Sequence, residues 1–327
     1  MMTVITGKKM MMKKLQAVFR MMRLPNILII ILTQYLLRYG ILENFLFPGH
    51  PGMLSGLLDF SLLVVATVLL TIGGYLINDY FDTRIDSVNN PEGNPVGTAI
   101  NSRSVILAHI LVNSFAILIG FYLAFRLRSV NFGLIFPFIS VLLWLYSARY
   151  KRTLAWGNLV VAILSALVIF IVWYFEFLHL RLTPMDFSQV VPELKETTRY
   201  FIAYGLFAFL VSFFREIIKD MEDIDGDKEY GCRTLPIVAG IKKSNYIVTF
   251  LVSLTFVFLA FAQWTFFNRG WMMVFWYFLI IIQLPMVYLI YKLYRAEKRE
   301  DYHFLSNLCK LIMFAGILSM QLISSGT

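Results

Sequence analysis

YLINDYFDTRID, residues 75–86, follows directly on an apolar run long enough to cross a bilayer. Residues four apart on a helix share a face, so Asn78, Asp82 and Asp86 form one stripe, with Asp79 a quarter-turn away. The pattern predicts a helix that persists until Asn89-Asn90-Pro91 breaks it. Aspartates at a helix C-terminus oppose its macrodipole, and oxygen-bearing side chains this close repel one another unless a cation joins them. Hard divalent cations want such oxygens, and magnesium usually takes one or two carboxylates together with substrate phosphates and water. A merely solvated helix end is the alternative, and one cluster alone leaves it open.

The pattern returns in FFREIIKDMEDIDGDKEYGCRTLPI, residues 213–237. Glu216, Asp220, Asp223 and Asp227 follow helical spacing and predict one acidic face, with Arg215 and Lys219 close by; Gly226 and Gly231 are expected to let the chain turn out. A calcium loop does not fit, because the position that needs glycine is Lys228 and the one that needs glutamate is Thr234. A second acidic helix end turns the reading from solvation towards metal. Two such clusters facing each other are expected to hold about two magnesium ions, with a diphosphate as the natural bridging anion. If the carbon bearing the diphosphate is allylic, the fragment left on cleavage is a resonance-stabilised cation. A lipid-like tail on that substrate explains why such chemistry belongs in a bilayer.

The composition supports the membrane. Of 327 residues, 59% are hydrophobic and 15% charged, with a mean hydropathy of +0.71, too apolar for one soluble core. Nine spans are expected, near 24–42, 58–78, 104–125, 131–147, 155–177, 200–218, 245–266, 271–291 and 304–323. The fold class is therefore all-α, a polytopic bundle of about nine transmembrane helices. It forms one membrane domain, 24–327, behind a basic cytosolic segment, 1–23, that shows no cleavable signal. With the N-terminus cytosolic, 21 of the 29 Lys and Arg fall on the inward side and seven, Arg38 among them, on outward ends. That bias orients a protein of the cell membrane with its acidic loops in the cytoplasm, and it excludes nucleic acid as the reason for the +9 charge. Cys232 and Cys309 form neither a disulfide framework nor a zinc site, and the histidines are scattered. The outward stretch 178–199 reads as a lid or solvated connection. Nothing in the sequence sets an oligomeric state.

YSARYKRTLAWGN, residues 146–158, is a third inward loop, and its Tyr146, Arg149, Lys151 and Arg152 are placed to meet diphosphate oxygens. For Arg149 and Arg152 simple interfacial anchoring is the alternative. RLPN, residues 23–26, brings Asn26 to the same surface, with Arg23 read as an anchor; Arg233 is a further candidate. Lys310, about two turns inside the last span, is either functional or snorkelling towards the interface.

With these residues in view, the chain resembles the UbiA family of intramembrane prenyltransferases over most of its length. Asn78, Asp82 and Asp86 match the family's N-x-x-x-D-x-x-x-D motif. Asp223, Asp227, Gly231 and Thr234-Leu235 match the second, with Asp220 an additional acidic position. Tyr146 and Lys151 resemble its Tyr-plus-Lys signature, spaced by five residues rather than four. The resemblance implies a central chamber, a Mg2+ cofactor held by Asn78, Asp82, Asp86, Asp220, Asp223 and Asp227, and transfer of a prenyl group from its diphosphate to a lipophilic acceptor. It casts Asp82, Asp223, Lys151 and Tyr146 as catalytic, and Asn26, Arg149, Lys151, Arg152 and Arg233 as substrate-binding. Relatives often carry a basic residue soon after the first motif, where this chain reads NNPEGNPVG; Arg84 or Arg103 would have to supply that charge. KDMEDIDGDKEYGCRTLPIVAG most resembles the branch that alkylates geranylgeranylglyceryl phosphate; aromatic acceptors of the quinone, chlorophyll and haem branches are the alternative.

Two other classes also place carboxylates in membrane helices. A CDP-alcohol phosphotransferase would share the four-residue aspartate spacing, but its upstream motif is absent and a second acidic cluster would have no task. An ion-coupled transporter would bury its carboxylates mid-span, not at helix ends.

Overall fold

The structure, a computed structural model, describes residues 12, 16–46, 54–89 and 94–325. Lys8, Lys9, Lys13 and Lys14 of the basic segment, His50 and the Asn90-Pro91 helix break lie outside the described residues. Helices dominate what is described. They are α1 (Leu24–Leu46), α2 (Leu57–Asn89), α3 (Ser102–Arg126), α4 (Val130–Ala148), α5 (Trp156–Leu180) and α6 (Pro184–Glu222). Two short helices follow, α7 (Ile224–Glu229) and α8 (Leu235–Ala239), and then α9 (Ile241–Asn268), α10 (Met272–Leu293) and α11 (Arg299–Ser325). Among the described residues nine helices, all but α7 and α8, are long and apolar enough to cross a membrane.

Their outer surfaces require lipid. In the most apolar stretch of α4 only 22% of the residues are buried by protein, and Phe125, Leu58, Phe261 and Met273 stand exposed on other helices. The chain is a multi-pass membrane protein. It folds as two compact units: the first holds α1 as far as Ile31 together with Gly56–Lys151, the second Leu32–Ser55 and the chain from Arg152 onward.

In the first unit α2 packs against α3 and α4. Gly73 and Gly74 permit the approach: a Cβ at Gly73 would stand 2.3 Å from Asn113 Nδ2, and one at Gly74 2.9 Å from Leu143 Cδ2. Buried His109 on α3 shares a 2.8 Å hydrogen bond with the Gly73 carbonyl oxygen, so a polar group fixes the level at which the helices meet. The unit's acidic stripe is held at the end of a helix pinned two turns earlier.

In the second unit α6 packs against α5, α9 and α11. The lid or solvated loop expected at 178–199 is corrected here, since all but its first six residues lie in α6. Pro184 occupies the first turn, where its missing N–H costs nothing, and contacts with α5 hold the extension: Trp173 Nε1 donates to Thr198 Oγ1 at 3.2 Å, and Phe177 meets Phe187 edge-on.

Arg38 is also corrected. Counted by sequence only among the outward basic residues, it is buried in the widened, π-helical half of α1. Its Nη1 donates to Glu176 Oε1 at 2.6 Å and to Ser55 Oγ at 2.9 Å, and Nη2 donates to the Ser55 carbonyl. Glu176, 1% exposed on α5, also accepts from the Ser55 N–H at 3.0 Å and from its hydroxyl at 2.7 Å. Removing one member strands the other charge in an apolar interior. Glu176→Ala is expected to destabilise the protein by about 3–5 kcal/mol, and Arg38→Met with Glu176→Leu to recover most of that loss. Unfolding midpoints in detergent micelles check both.

Candidate active site

In the first unit the acidic stripe is assembled as its spacing required. Asn78 Nδ2 donates to Asp82 Oδ2 at 2.7 Å one turn along, and Asp82 is 2% exposed. Lys151 reaches the same carboxylate from the turn after α4 and forms an ion pair with it. Asp86 accepts from Asn94 Nδ2 at 2.8 Å, and the same amide donates to the Asp79 carbonyl at 2.7 Å, which folds the segment after α2 back onto its last turns.

Asp79, a quarter-turn from the stripe, faces Arg23 at 2.9 Å. This overturns the reading of Arg23 as an anchor. Its backbone is left-handed, φ 50°, a conformation that a non-glycine residue keeps only when its contacts demand it. Those contacts are on view: the guanidinium carbon stands 4.7 Å from the Tyr75 ring centroid, and the Arg23 carbonyl accepts the Asn26 N–H at 2.8 Å to open α1. Asn26 Nδ2 in turn donates to the Tyr75 hydroxyl at 3.1 Å. Burial alone would pull the Arg23 pKa down, but Asp79 first, then Tyr75, Tyr146 and Asp82, push it up further than burial pulls. Arg23 therefore stays cationic. Tyr146 interacts electrostatically with both Arg23 and Lys151, so the Tyr-plus-Lys pair borders the stripe despite its five-residue spacing.

In the second unit the expected single acidic face is interrupted. α6 ends at Glu222, Asp223 adopts φ −96° and ψ 10°, and α7 starts anew. Asp227 N–H still donates to the Asp223 carbonyl at 3.1 Å, so the two aspartates remain one turn apart across the kink. Gly231, φ +70°, supplies the left-handed turn expected of it and lets Cys232 N–H return to the Asp227 carbonyl at 2.8 Å. Gly226 instead lies inside α7. Asp220, still on α6, accepts from Asn158 Nδ2 at 2.8 Å. Arg299 approaches Asp223 at 3.9 Å, and His303 Nδ1 meets Glu222 Oε1 at 2.8 Å.

The basic candidates separate. Lys151 is on the stripe. Arg149, Arg152 and Arg233 are exposed, and the last two meet through the main chain, Arg233 N–H to the Arg152 carbonyl at 2.9 Å. Sequence reasoning missed Asn94 and Asn158, and it misjudged Arg23. The signal for Asn158 was an amide in the first turn of an apolar helix; for Arg23 it was the pairing of RLPN with a second acidic side chain off the stripe.

The donors offered are carboxylate and amide oxygens without histidine or cysteine, a set that suits magnesium rather than zinc. Within neither unit, among the described residues, do three of His, Cys, Asp or Glu gather closely enough to enclose a metal alone. That fits an ion which completes its shell from substrate phosphates and water. The second unit also holds an apolar cleft of about 410 Å³, counting its open mouth, lined by Tyr204, Phe207, Phe258, Phe266, Phe278 and Ile282 among others.

The UbiA prenyltransferase family profile matches residues 46–314, across both units. A digeranylgeranylglyceryl phosphate synthase of Methanothermobacter thermautotrophicus is 34% identical over 60% of this chain and 62% of its own length. The enzyme of the same description from Thermococcus kodakarensis is 29% identical over 86% of this chain and 95% of its own length. The chain thus spans less than two thirds of the first of these relatives and nearly all of the second. Among solved structures, a UbiA homolog from Archaeoglobus fulgidus bound to DMAPP and Mg2+ superposes with a TM-score of 0.60 at 16% identity, covering 92% of this chain and 99% of its own. A structure from work on digeranylgeranylglyceryl phosphate synthase in membranes gives 0.60 at 22% identity, covering 94% and 99%. At such identities the superpositions speak for the fold, and the family profile, matching well over half the chain, for descent. The chain belongs to the UbiA prenyltransferase family.

Proposed function

We propose that this protein moves a prenyl group from a prenyl diphosphate to a lipid acceptor within the membrane, and that the acceptor is a phosphate-bearing glycerol ether. The observation that carries the transfer reading is the buried Asp82 carboxylate, held by Asn78 and Lys151 at the end of a membrane helix. A carboxylate removed from water there needs a standing reason, and metal-bound diphosphate supplies one. The rival classes have no such support: the carboxylates occupy the last turns of α2 and the end of α6, not mid-span positions, and the family is that of prenyltransferases.

Asn78, Asp82 and Asp86 of the first unit, and Asp220, Asp223 and Asp227 of the second, are the residues that would hold magnesium. Bound there, the ions neutralise the leaving diphosphate and so favour cleavage of the adjacent carbon–oxygen bond. Lys151, which balances Asp82 when no substrate is present, is the side chain best placed to donate to a phosphate oxygen. Arg23, paired with Asp79, adds a second fixed cation at the same end of α2, which answers the missing basic residue after the first motif. The apolar cleft would take hydrocarbon chain, and the acceptor hydroxyl, on losing its proton to solvent, forms the new ether bond. The acidic loops would face the cytoplasm, as the basic residues dictate.

The relatives named digeranylgeranylglyceryl phosphate synthase favour a glycerol ether over an aromatic acceptor. Membranes containing the protein, supplied with labelled geranylgeranyl or farnesyl diphosphate, are expected to yield a labelled phosphate-bearing diether on lipid extraction and mass analysis. Chelation should abolish it. Labelled product on aromatic lipids instead would remove the acceptor assignment. Asp82→Asn and Asp223→Asn should each lower turnover about a hundredfold or more with the protein still inserted. Lys151→Met strips Asp82 of its cation, so it should lower the unfolding temperature in chelator and recover when millimolar magnesium is restored, read by thermal unfolding in micelles.

A further inference from the structure

Beyond the two acidic motifs, the second unit carries a polar stripe that the transfer chemistry does not use. On α11, His303, Asn307 and Lys310 lie on one face, continuing from Arg299. On α6, packed against it, Arg215, Lys219 and Glu222 do the same. The stripe is continuous: Lys310 Nζ donates to Asn307 Oδ1 at 3.1 Å, Asn307 Nδ2 donates to His303 Nε2 at 3.0 Å, and His303 Nδ1 donates to Glu222 Oε1 at 2.8 Å.

Its basic side chains are not all paired. Glu216 answers Arg215 at 2.5 Å, Glu222 meets His303, and Asp223 faces Arg299. Among the described residues Lys219 and Lys310 have no carboxylate within ion-pair distance, and Lys310 interacts with Arg215 and Lys219 repulsively and with Glu222 and Glu216 attractively. Arg215 Nε is buried and meets no acceptor. Lys310 lies 11 residues beyond Arg299, roughly 16 Å along the helix. Two lysines outside ion-pair distance of a carboxylate and an unmet guanidinium N–H are groups that an anion would satisfy.

We infer that Lys310, Lys219 and Arg215 form a receiving site for the phosphate headgroup of a lipid. Lys310 is exposed beside the exposed apolar Leu311 and Phe314, so the site opens towards hydrocarbon rather than into a water-filled loop. Lys219 stands four residues, roughly 6 Å of helix, from Asp223 of the second acidic motif. A phosphomonoester lipid seated here would therefore present its free hydroxyl to the diphosphate end of the enzyme. An aromatic acceptor would have no use for the site. The inference rests on the prenyl-transfer reading and identifies the feature of the acceptor that this face recognises.

The test uses the full chain in phosphatidylcholine vesicles, with labelled geranylgeranyl diphosphate and two acceptors: geranylgeranylglyceryl phosphate and the same ether without its phosphate. Lys219→Gln with Lys310→Gln should raise KM for the phosphorylated acceptor about tenfold or more, leave KM for the diphosphate unchanged, and leave the slower phosphate-free acceptor unaffected. Lys310→Arg should retain most of the wild-type KM. The inference is overturned if both acceptors suffer alike, if the diphosphate KM moves instead, or if the wild type does not distinguish the two acceptors. It is also overturned if the effect appears only on adding anionic phospholipid, which would mark a site for bulk lipid. Failure of the wild type to transfer a prenyl group to any acceptor would instead sink the reading beneath it.

Discussion

Negative charge inside a membrane protein is tolerable only where something positive answers it, and that constraint organises this molecule. Asp82 is almost wholly withdrawn from solvent, yet it sits where α2 nears its end, within reach of Asn78 from its own helix and Lys151 from the turn after α4. The packing of α2 on α3 and α4 through Gly73 and Gly74 is what brings those groups together, because bulkier residues would hold the helices apart. Arg23 answers Asp79 in the same way, at the expense of a left-handed backbone. A diphosphate with its metal ions would meet carboxylates already arranged for cations, so little reorganisation is asked of the protein on binding.

The same constraint has two different outcomes in the second unit. Arg38 and Glu176 pair directly, with Ser55 bonded to both, and the result is structural. Lys310 and Lys219 have, among the described residues, no carboxylate within ion-pair distance, and the role inferred there is to receive an anionic ligand.

Much of this was legible in the sequence. All nine spans were visible from hydropathy, because lipid-facing and packing positions alike must be apolar and twenty such residues in a row have few other uses. The stripe Asn78–Asp82–Asp86 was legible because helical periodicity dictates which side chains share a face. What was hidden depends on partners far apart in the chain. Arg38 looked like any outward basic residue until Glu176, 138 positions away, was found against it. The outer half of α6 contains Pro192 and mixed charge, and local propensity argued against a helix there; stacking against α5 overrode it. The kink at Asp223 was equally invisible, since the acidic spacing runs through it without change.

The proposed function stands on each acidic motif binding magnesium diphosphate. The most direct measurement is magnesium-dependent affinity for a non-reactive prenyl thiolodiphosphate, compared among wild type, Asp86→Asn, Asp227→Asn and the double variant. Loss of most of the affinity in each single variant, with no recovery in the double, is the result the account predicts. Wild-type affinity in either single variant would show that its motif does not touch the diphosphate, and the account would fail.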